Sequence, residues 1–177
     1  MQTAQSYDID AVLPPTNSSI ARDLKLNLSR FLEEGALSRV EALLTLLALA
    51  TSVQDAALAG FARVQLEQFD VTAEQVQEAA ESAAIMGMLN TYYRFRHMIG
   101  KPDYANGAGL RMTSLAKPAL GKERFEMLAL AVSVLNGCEN CIRAHEQTLR
   151  DAGVGADKVH DLARLAATVK GLSTIST

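Results

Sequence analysis

Apolar residues recur three or four positions apart along most of the chain, and no stretch alternates apolar and polar residues for long. This spacing is typical of amphipathic helices and leaves little signal for strands. Helix starts are marked by Ser18 or Ser19 and by two capping boxes, in which a Ser or Thr precedes a Glu or Gln by three positions. The sequence therefore predicts an all-α fold, with capping boxes at 38–41 and 72–75.

The same pattern predicts seven helical segments, separated by polar breaks or by breaks that contain Gly or Pro. The longest begins after Thr72 and is ended by the Gly-Lys-Pro run at 100–102, because Pro disfavours helix at the residue before it. Residues 101–110 are predicted to be a connector. The predicted helices cover about 18–32, 38–51, 54–69, 72–100, 122–135, 138–151 and 156–171.

The two halves of the chain look like copies of one helical unit. Residues 48–53 match 129–134 at an offset of 81, and positions within 71–84 match positions within 154–167 at an offset of 83. A two-residue insertion between the two blocks is what a loop tolerates. We therefore predict one helical domain over residues 1–177. Its parts are a first repeat at about 38–100, a connector at about 101–121 and a second repeat at about 122–177.

Composition and charge narrow the functional class. The 177 residues suffice for one domain, and a net charge of -3 offers no basic surface for nucleic acid. The most apolar run, 42–50, is too short to span a bilayer. Residues 1–15 lack the basic-then-apolar pattern of a signal peptide. We therefore expect a cytoplasmic protein without a nucleic-acid or membrane partner.

The candidate chemistry lies in the two cysteines of the chain, Cys138 and Cys141. Structural disulfides are rare in a reducing compartment, so a pair with this spacing indicates redox chemistry or a metal site. On a helix Cys141 lies about 60° around the axis from Cys138, and His145 falls between them. The first turn favours a thiolate, and His145 can accept the proton of Cys141. A thiolate can attack a peroxide, after which the second cysteine closes a disulfide, or it can exchange with a partner's disulfide.

Two other interpretations of the cysteine pair are open. The spacing could be a coincidence, or the pair could be half of a zinc site. Zinc usually takes four ligands, and the remaining candidates are His97, His160 and carboxylates. The chain has no second Cys-x-x-Cys.

Glu126 and His97 are further candidates. Glu126 precedes Cys138 by twelve residues, and its carboxylate returns toward His145 if the Asn-Gly pair at 136–137 turns the chain back. The spacing alone favours a solvated glutamate. His97 follows a run of aromatic residues and arginines that could border a substrate entrance or a subunit interface, but its position favours a helix C-terminal cap with packed tyrosines.

The sequence resembles the AhpD-like alkylhydroperoxidases within the carboxymuconolactone decarboxylase superfamily. The resemblance is strongest over 136–146, and the order Glu, Cys-x-x-Cys, x-x-x-His is specific when all of its parts occur together. It extends over nearly the whole chain. The other segments that carry it are 23–29, 85–88 with Asn90, 93–94, 109–112, 125–126 and 131–133.

The resemblance implies an all-helical, internally duplicated fold that assembles as a homotrimer. It implies that Cys141 attacks an organic hydroperoxide, that Cys138 is its disulfide partner, and that His145 and Glu126 form a proton relay. No bound cofactor is implied beyond the redox-active disulfide. Electrons would come from dihydrolipoyl groups on a lipoylated 2-oxoacid dehydrogenase component, and the peroxiredoxin AhpC would be reduced. Family members often carry His where this chain has Asn140, so any proton-handling role of that position is in doubt.

Three other functions compete with a hydroperoxide reductase. One is a disulfide reductase for a peroxiredoxin with little direct peroxidase activity. Another is a non-catalytic metal-binding or assembly module. The last is the lactone decarboxylase chemistry of the superfamily, which needs no thiol pair and leaves the cysteines unexplained.

Overall fold

The computed structural model describes Ile9, Leu13 and residues 18–175, and its regular secondary structure is helical. No strand occurs within these residues, which confirms the predicted all-α class. Two short 3-10 helices, Pro102–Tyr104 and Thr113–Ala116, lie in the long connector. The α-helices of the range 18–175 are α1 Ser19–Glu33, α2 Arg39–Ser52, α3 Ala56–Leu66, α4 Ala73–Ile99, α5 Lys122–Leu135, α6 Glu139–Asp151 and α7 Ala156–Ile175.

Two helices, α2 and α5, form the centre of the core. Every residue from Ala42 to Ala50 of α2 is buried, and so is every residue from Met127 to Ser133 of α5. Helices that are apolar on all sides are stable only when other helices surround them. By contrast α6 is amphipathic and buries only Cys141 and Leu149, so it lies on the central pair with one face toward solvent.

The predicted helix starts are confirmed where side chains cap them. Ser18 accepts the Ala21 N–H at the start of α1. Both capping boxes are present, at Ser38 for α2 and at Thr72 for α4. At the other end of α4, Gly100 adopts a left-handed conformation with φ 59°, which a residue without Cβ adopts at little cost.

The last helix, α7, continues to Ile175 beyond its predicted end at about 171, and two other helices also differ from the prediction. The third helix is predicted over 54–69, but it spans Ala56–Leu66 because Asp55 caps it and Gln54 is left-handed, with φ 60°. The sixth helix is predicted to start at Cys138, which instead is the residue before the helix. None of these changes moves a candidate residue to another element.

The helix starts repeat with a constant spacing of 83 residues, since α2, α3 and α4 begin at 39, 56 and 73 and α5, α6 and α7 at 122, 139 and 156. The match of 48–53 to 129–134 at an offset of 81 is therefore wrong by two residues, because Ala-rich helices match at several registers. The duplication itself and its predicted bounds stay predictions. Residues 1–8, 10–12, 14–17, 176 and 177 of the predicted domain lie outside the described residues.

A matched pair of carboxylates also follows this spacing. Glu78 of α4 accepts the N–H groups of Ala119 and Leu120 at 3.0 and 2.7 Å, just before α5 begins. Asp161 of α7, 83 residues later, accepts the Ala36 N–H at 2.7 Å, just before α2 begins. Each carboxylate thus fixes the chain that enters a central helix. Glu78 thereby fixes the start of α5, the helix that contains Glu126.

Across the described part of the chain, no helix has both the length and the apolar content needed to cross a membrane.

Candidate active site

A tight turn joins α5 to α6 and presents Cys138. Gly137 is left-handed, with φ 63°, and the Cys138 N–H returns to the carbonyl of Ser133 at 3.1 Å. Cys138 is the N-cap residue of α6, and its carbonyl accepts the Ile142 N–H at 2.9 Å. Its side chain makes no capping hydrogen bond. Cys138 and Cys141 both lie at the N-terminus of α6, where the helix dipole favours a thiolate.

Cys138 and Cys141 are joined by a disulfide across the first turn of α6, with their Cα atoms 5.3 Å apart. The expectation that the two sulfur atoms can be bridged at the first turn is thereby confirmed. The two residues are only 1% and 7% exposed. A disulfide this buried is reached by small or narrow molecules more readily than by the surface of a folded partner.

The structure brings Glu126 and His145 together. Oε2 of Glu126 on α5 lies 2.7 Å from Nδ1 of His145 on α6, because the turn at 136–137 sends α6 back along α5. Each side chain is 21% exposed, so the pair is shielded from solvent without being sealed from it. The sequence alone favours a solvated Glu126. The structure instead shows the other possibility, in which the turn at 136–137 brings the carboxylate back to His145.

A cavity of about 310 Å³ opens beside this pair. His145 and Glu126 form its polar side together with Lys122. The remaining walls come from α4, the connector and α5, and they are apolar: Met86, Leu89, Leu115, Ala116, Pro118 and Phe125. The cavity can therefore accept a small apolar molecule whose polar end faces the imidazole and the carboxylate.

The surface next to Cys138 is charged. Glu139 lies in the first turn of α6, where a carboxylate is favourable, and accepts hydrogen bonds from Arg143 at 2.9 and 3.1 Å. His97 of α4 places Nε2 3.7 Å from the other oxygen of Glu139. The expected helix cap at His97 is wrong, because Gly100 is the cap, although the tyrosine rings at 92 and 93 do pack edge to face. His97 therefore lies at the border of the site.

Polar side chains connect α4 to the turn that holds Cys138, and the residues predicted for the site do not include them. Asn90 is 1% exposed and donates to the Ser133 hydroxyl at 2.9 Å, while its own oxygen accepts from the Asn136 side chain at 3.0 Å. Arg94, one helical turn later, donates to the Asn136 carbonyl at 2.7 Å. An amide on the buried face of an Ala-rich helix is the signal that could have revealed this set, because a buried amide needs partners.

The histidines considered as zinc ligands do not join the cysteines. His160 is exposed on α7, and His97 contacts Glu139. Among the residues that the structure describes, no three metal-ligating side chains lie close enough to share an ion. Asn140 is exposed on α6.

Comparison with known proteins agrees with the geometry of the site. The model of the carboxymuconolactone decarboxylase family matches residues 104–176, the part of the chain that contains α5, α6 and α7. Alkyl hydroperoxide reductase AhpD of Anaeromyxobacter dehalogenans strain 2CP-C is 46% identical over 154 residues, which cover 84% of this chain and 80% of that protein. The chain belongs to the AhpD family.

More distant AhpD proteins match over similar lengths. Those of Mycolicibacterium smegmatis and Methylobacterium sp. strain 4-46 are each 39% identical to this chain, over 155 and 165 residues. The matches cover 86% and 91% of this chain and 86% and 89% of those proteins. Membership of the AhpD family supports an oxidoreductase role in general, and it gives the disulfide of α6 a use that lactone decarboxylase chemistry does not.

Proposed function

We propose that this protein is an alkyl hydroperoxide reductase in which Cys141 attacks the peroxide and Cys138 closes the disulfide. The observation that supports this most strongly is the contact of Glu126 with His145, four residues after Cys141 on α6, at the edge of an apolar cavity. A thiol pair alone serves many reactions. A thiol pair with a shielded imidazole, a carboxylate and room for an alkyl group fits an organic hydroperoxide.

The proton relay of the proposal follows from the hydrogen bond. With a proton on Nδ1 directed at Glu126, the other ring nitrogen of His145 is free to accept the proton of Cys141, one helical turn earlier. The imidazolium that results lies against the Glu126 carboxylate, and its positive charge attracts the thiolate. The first turn of α6 acts in the same direction.

The proposed reaction then balances in two steps. The Cys141 thiolate attacks one peroxide oxygen, so that an S–O bond forms, the O–O bond breaks and the alkoxide leaves as an alcohol with a proton from His145. The Cys138 thiol gives up its proton and its sulfur attacks the sulfenic sulfur, so that the S–S bond forms, the S–O bond breaks and hydroxide leaves with that proton as water. Two electrons from a dithiol reopen the disulfide by thiol–disulfide exchange.

We propose dihydrolipoyl groups on a 2-oxoacid dehydrogenase component as the electron donor, and the peroxiredoxin AhpC as the protein partner. The low exposure of both cysteines suits a donor carried on a narrow, flexible arm. A peroxiredoxin disulfide that lies in a folded surface reaches such a buried pair less readily. The burial of the cysteines therefore favours direct peroxide reduction, with AhpC as an additional partner, over a function limited to disulfide reduction. The expected cytoplasmic location is part of the same proposal.

A peroxide-consumption assay with dihydrolipoamide tests this function. Cumene hydroperoxide and hydrogen peroxide are compared, with and without a peroxiredoxin. We expect consumption of cumene hydroperoxide without the peroxiredoxin, and faster than that of hydrogen peroxide, because the cavity has apolar walls. Consumption only with the peroxiredoxin would instead establish the disulfide reductase function. Cys141→Ser is the inactive reference, and Glu123→Gln, an exposed position on α5, is the control.

A further inference from the structure

A hydrogen-bond chain, buried at Ser133 and Asn90 and half-buried at Asn136, connects the long helix α4 to the backbone around Cys138. It consists of Ser133, Asn90 and Asn136, linked at 2.9 and 3.0 Å. Ser133 is 0% exposed and Asn90 is 1% exposed, so water cannot replace the partners that each would lose. We call these three residues the amide clamp.

The clamp acts at both ends of the turn that holds Cys138. At one end, Ser133 uses its hydroxyl for Asn90 and its carbonyl for the Cys138 N–H. At the other end, Asn136 precedes Gly137, and its carbonyl is held by Arg94. The position of the Cys138 backbone is thus tied to α4, an element that carries none of the four candidate catalytic residues.

The same turn occurs 83 residues earlier without a clamp. There Gln54 has φ 60°, compared with 63° for Gly137. The three backbone hydrogen bonds also recur, at 3.0, 3.1 and 2.9 Å in the first turn and at 2.9, 3.1 and 3.1 Å in the second. Ala50 and Val53 occupy the places of Ser133 and Asn136, and neither side chain has a polar atom.

This comparison separates folding from function. The backbone of the turn forms with apolar side chains at both positions, so the fold does not require the clamp. The turn that carries a cysteine is the one that has it. We therefore propose that Asn90 is a positioning residue for Cys138, which keeps its sulfur opposite Cys141 when the disulfide is open.

The proposal rests on the proposed function for its use in turnover, but its physical basis is independent. In the oxidised protein the S–S bond holds Cys138 in place, and after reduction only the turn and its contacts hold it. A contact that restricts the dithiol to geometries able to close lowers the entropic cost of closure. Without the clamp, the disulfide becomes less stable relative to the dithiol.

The test is the reduction potential of the Cys138–Cys141 pair in Asn90→Leu. The full chain is equilibrated with mixtures of reduced and oxidised dithiothreitol, and the oxidised fraction is measured by thiol alkylation and mass spectrometry. We expect the equilibrium constant for disulfide formation to fall about fivefold, the size of one hydrogen bond. That is a rise of about 20 mV in the potential of a two-electron couple.

Two further variants keep the test decisive. Thr45→Val removes a buried hydroxyl that bonds the Glu41 carbonyl at 2.7 Å in α2, so it should lower the melting temperature and leave the potential unchanged. Ser133→Ala copies Ala50, serves if Asn90→Leu does not fold, and should raise the potential in the same direction. An unchanged potential in a folded clamp variant, whatever its melting temperature, overturns the proposal. If the potential rises in the clamp variants but the unaltered protein consumes no peroxide, the proposed function is refuted and the positioning role of Asn90 stands.

Discussion

Oε2 of Glu126 lies 2.7 Å from Nδ1 of His145, although 19 positions separate the two residues in the chain. The carboxylate comes from α5 and the imidazole from α6, so the contact exists only when the turn between them is formed. If this pair controls the thiolate of Cys141, replacing either member should change how Cys141 reacts across the pH scale.

We expect His145→Gln to move the pH midpoint of Cys141 alkylation in the reduced protein toward about 8.5, the value of a free thiol. Loss of the imidazolium removes a charge that favours thiolate, so the alkylation rate at neutral pH should fall, by up to about tenfold for every pH unit that the midpoint rises. Raising the pH should restore the rate. Glu126→Gln should show the same trend more weakly, since it acts through the imidazole.

Matched controls for the relay are His160→Gln on α7 and Glu123→Gln on α5, both exposed positions. Their alkylation curves should overlay that of the unaltered protein. If the His145→Gln and Glu126→Gln curves overlay it as well, the N-terminus of α6 alone activates the thiol and the relay is refuted.

The two cysteines should differ when replaced singly. Cys141→Ser removes the proposed attacking sulfur and should abolish peroxide consumption. Cys138→Ser should still form one sulfenic acid on Cys141, which a sulfenic-acid trapping reagent labels after a single dose of peroxide. Labelling of Cys138 in Cys141→Ser, with none of Cys141 in Cys138→Ser, would reverse the two roles.

Asn140→His should change peroxide turnover by less than about threefold. Position 140 lies five residues before His145, which places it about 140° away around the helix. It is exposed, whereas His145 borders the cavity. The measurement is kcat/KM for cumene hydroperoxide in the two proteins. A gain of tenfold or more would show that the histidine common in related proteins takes part in proton transfer.

The stability of the protein should depend on pH through Glu41. Burial alone would raise the pKa of this carboxyl, but the Lys158 ammonium at 2.8 Å and hydrogen bonds from Ser38 outweigh burial and hold the pKa below its ordinary value. A lowered folded pKa adds stability that is fully present above about pH 4.3 and is lost as the pH falls through the folded value.

Urea unfolding of Glu41→Gln from pH 3 to 7 tests this linkage. Near neutral pH the variant should be less stable by about 1 kcal/mol in the free energy of unfolding. The gap should narrow below about pH 4, where Glu41 of the unaltered protein takes up a proton. A gap of constant size across the range would mean that the loss comes from packing and not from charge.

Assembly as a homotrimer is a separate expectation, carried by the family resemblance. The end of α4 and the adjoining connector expose Phe95, Met98, Ile99 and Tyr104, and Met98 is 76% exposed. Apolar side chains grouped in this way favour an interface. Light scattering at micromolar concentration should give three times the monomer mass of 19.0 kDa, and Met98→Glu should lower it. A monomeric mass for the unaltered chain contradicts the expectation and leaves the chemistry untouched.

Local rules predicted most of the helices from the sequence. The capping boxes at Ser38 and Thr72 act within one helical turn, so three residues suffice to recognise each. The cysteine pair and His145 are also local, since all three lie on α6 or at its start. Glu126 could be proposed only as one outcome of a turn whose direction the sequence leaves open.

The amide clamp could not be predicted from the sequence, and the reason is physical. Asn90 and Ser133 are 43 positions apart, and their contact depends on how α4 packs against α5. Periodicity predicts which face of a helix is buried, but not which residue of another helix lies opposite. The predicted offset of 81 between residues 48–53 and 129–134 was wrong for a related reason, because small apolar residues match one another at more than one offset.

The constant spacing of the helix starts places each residue of α5 and of the start of α6 83 positions after a residue at the equivalent place of α2 or α3. At the four places that correspond to Glu126, Cys138, Cys141 and His145, the first half carries no sulfur atom and no imidazole. The cysteine pair therefore depends on side chains placed on a helical arrangement that also forms without them. The residues at 43, 55, 58 and 62 that stand where the reactive half has Glu126, Cys138, Cys141 and His145 are Leu43, Asp55, Leu58 and Ala62.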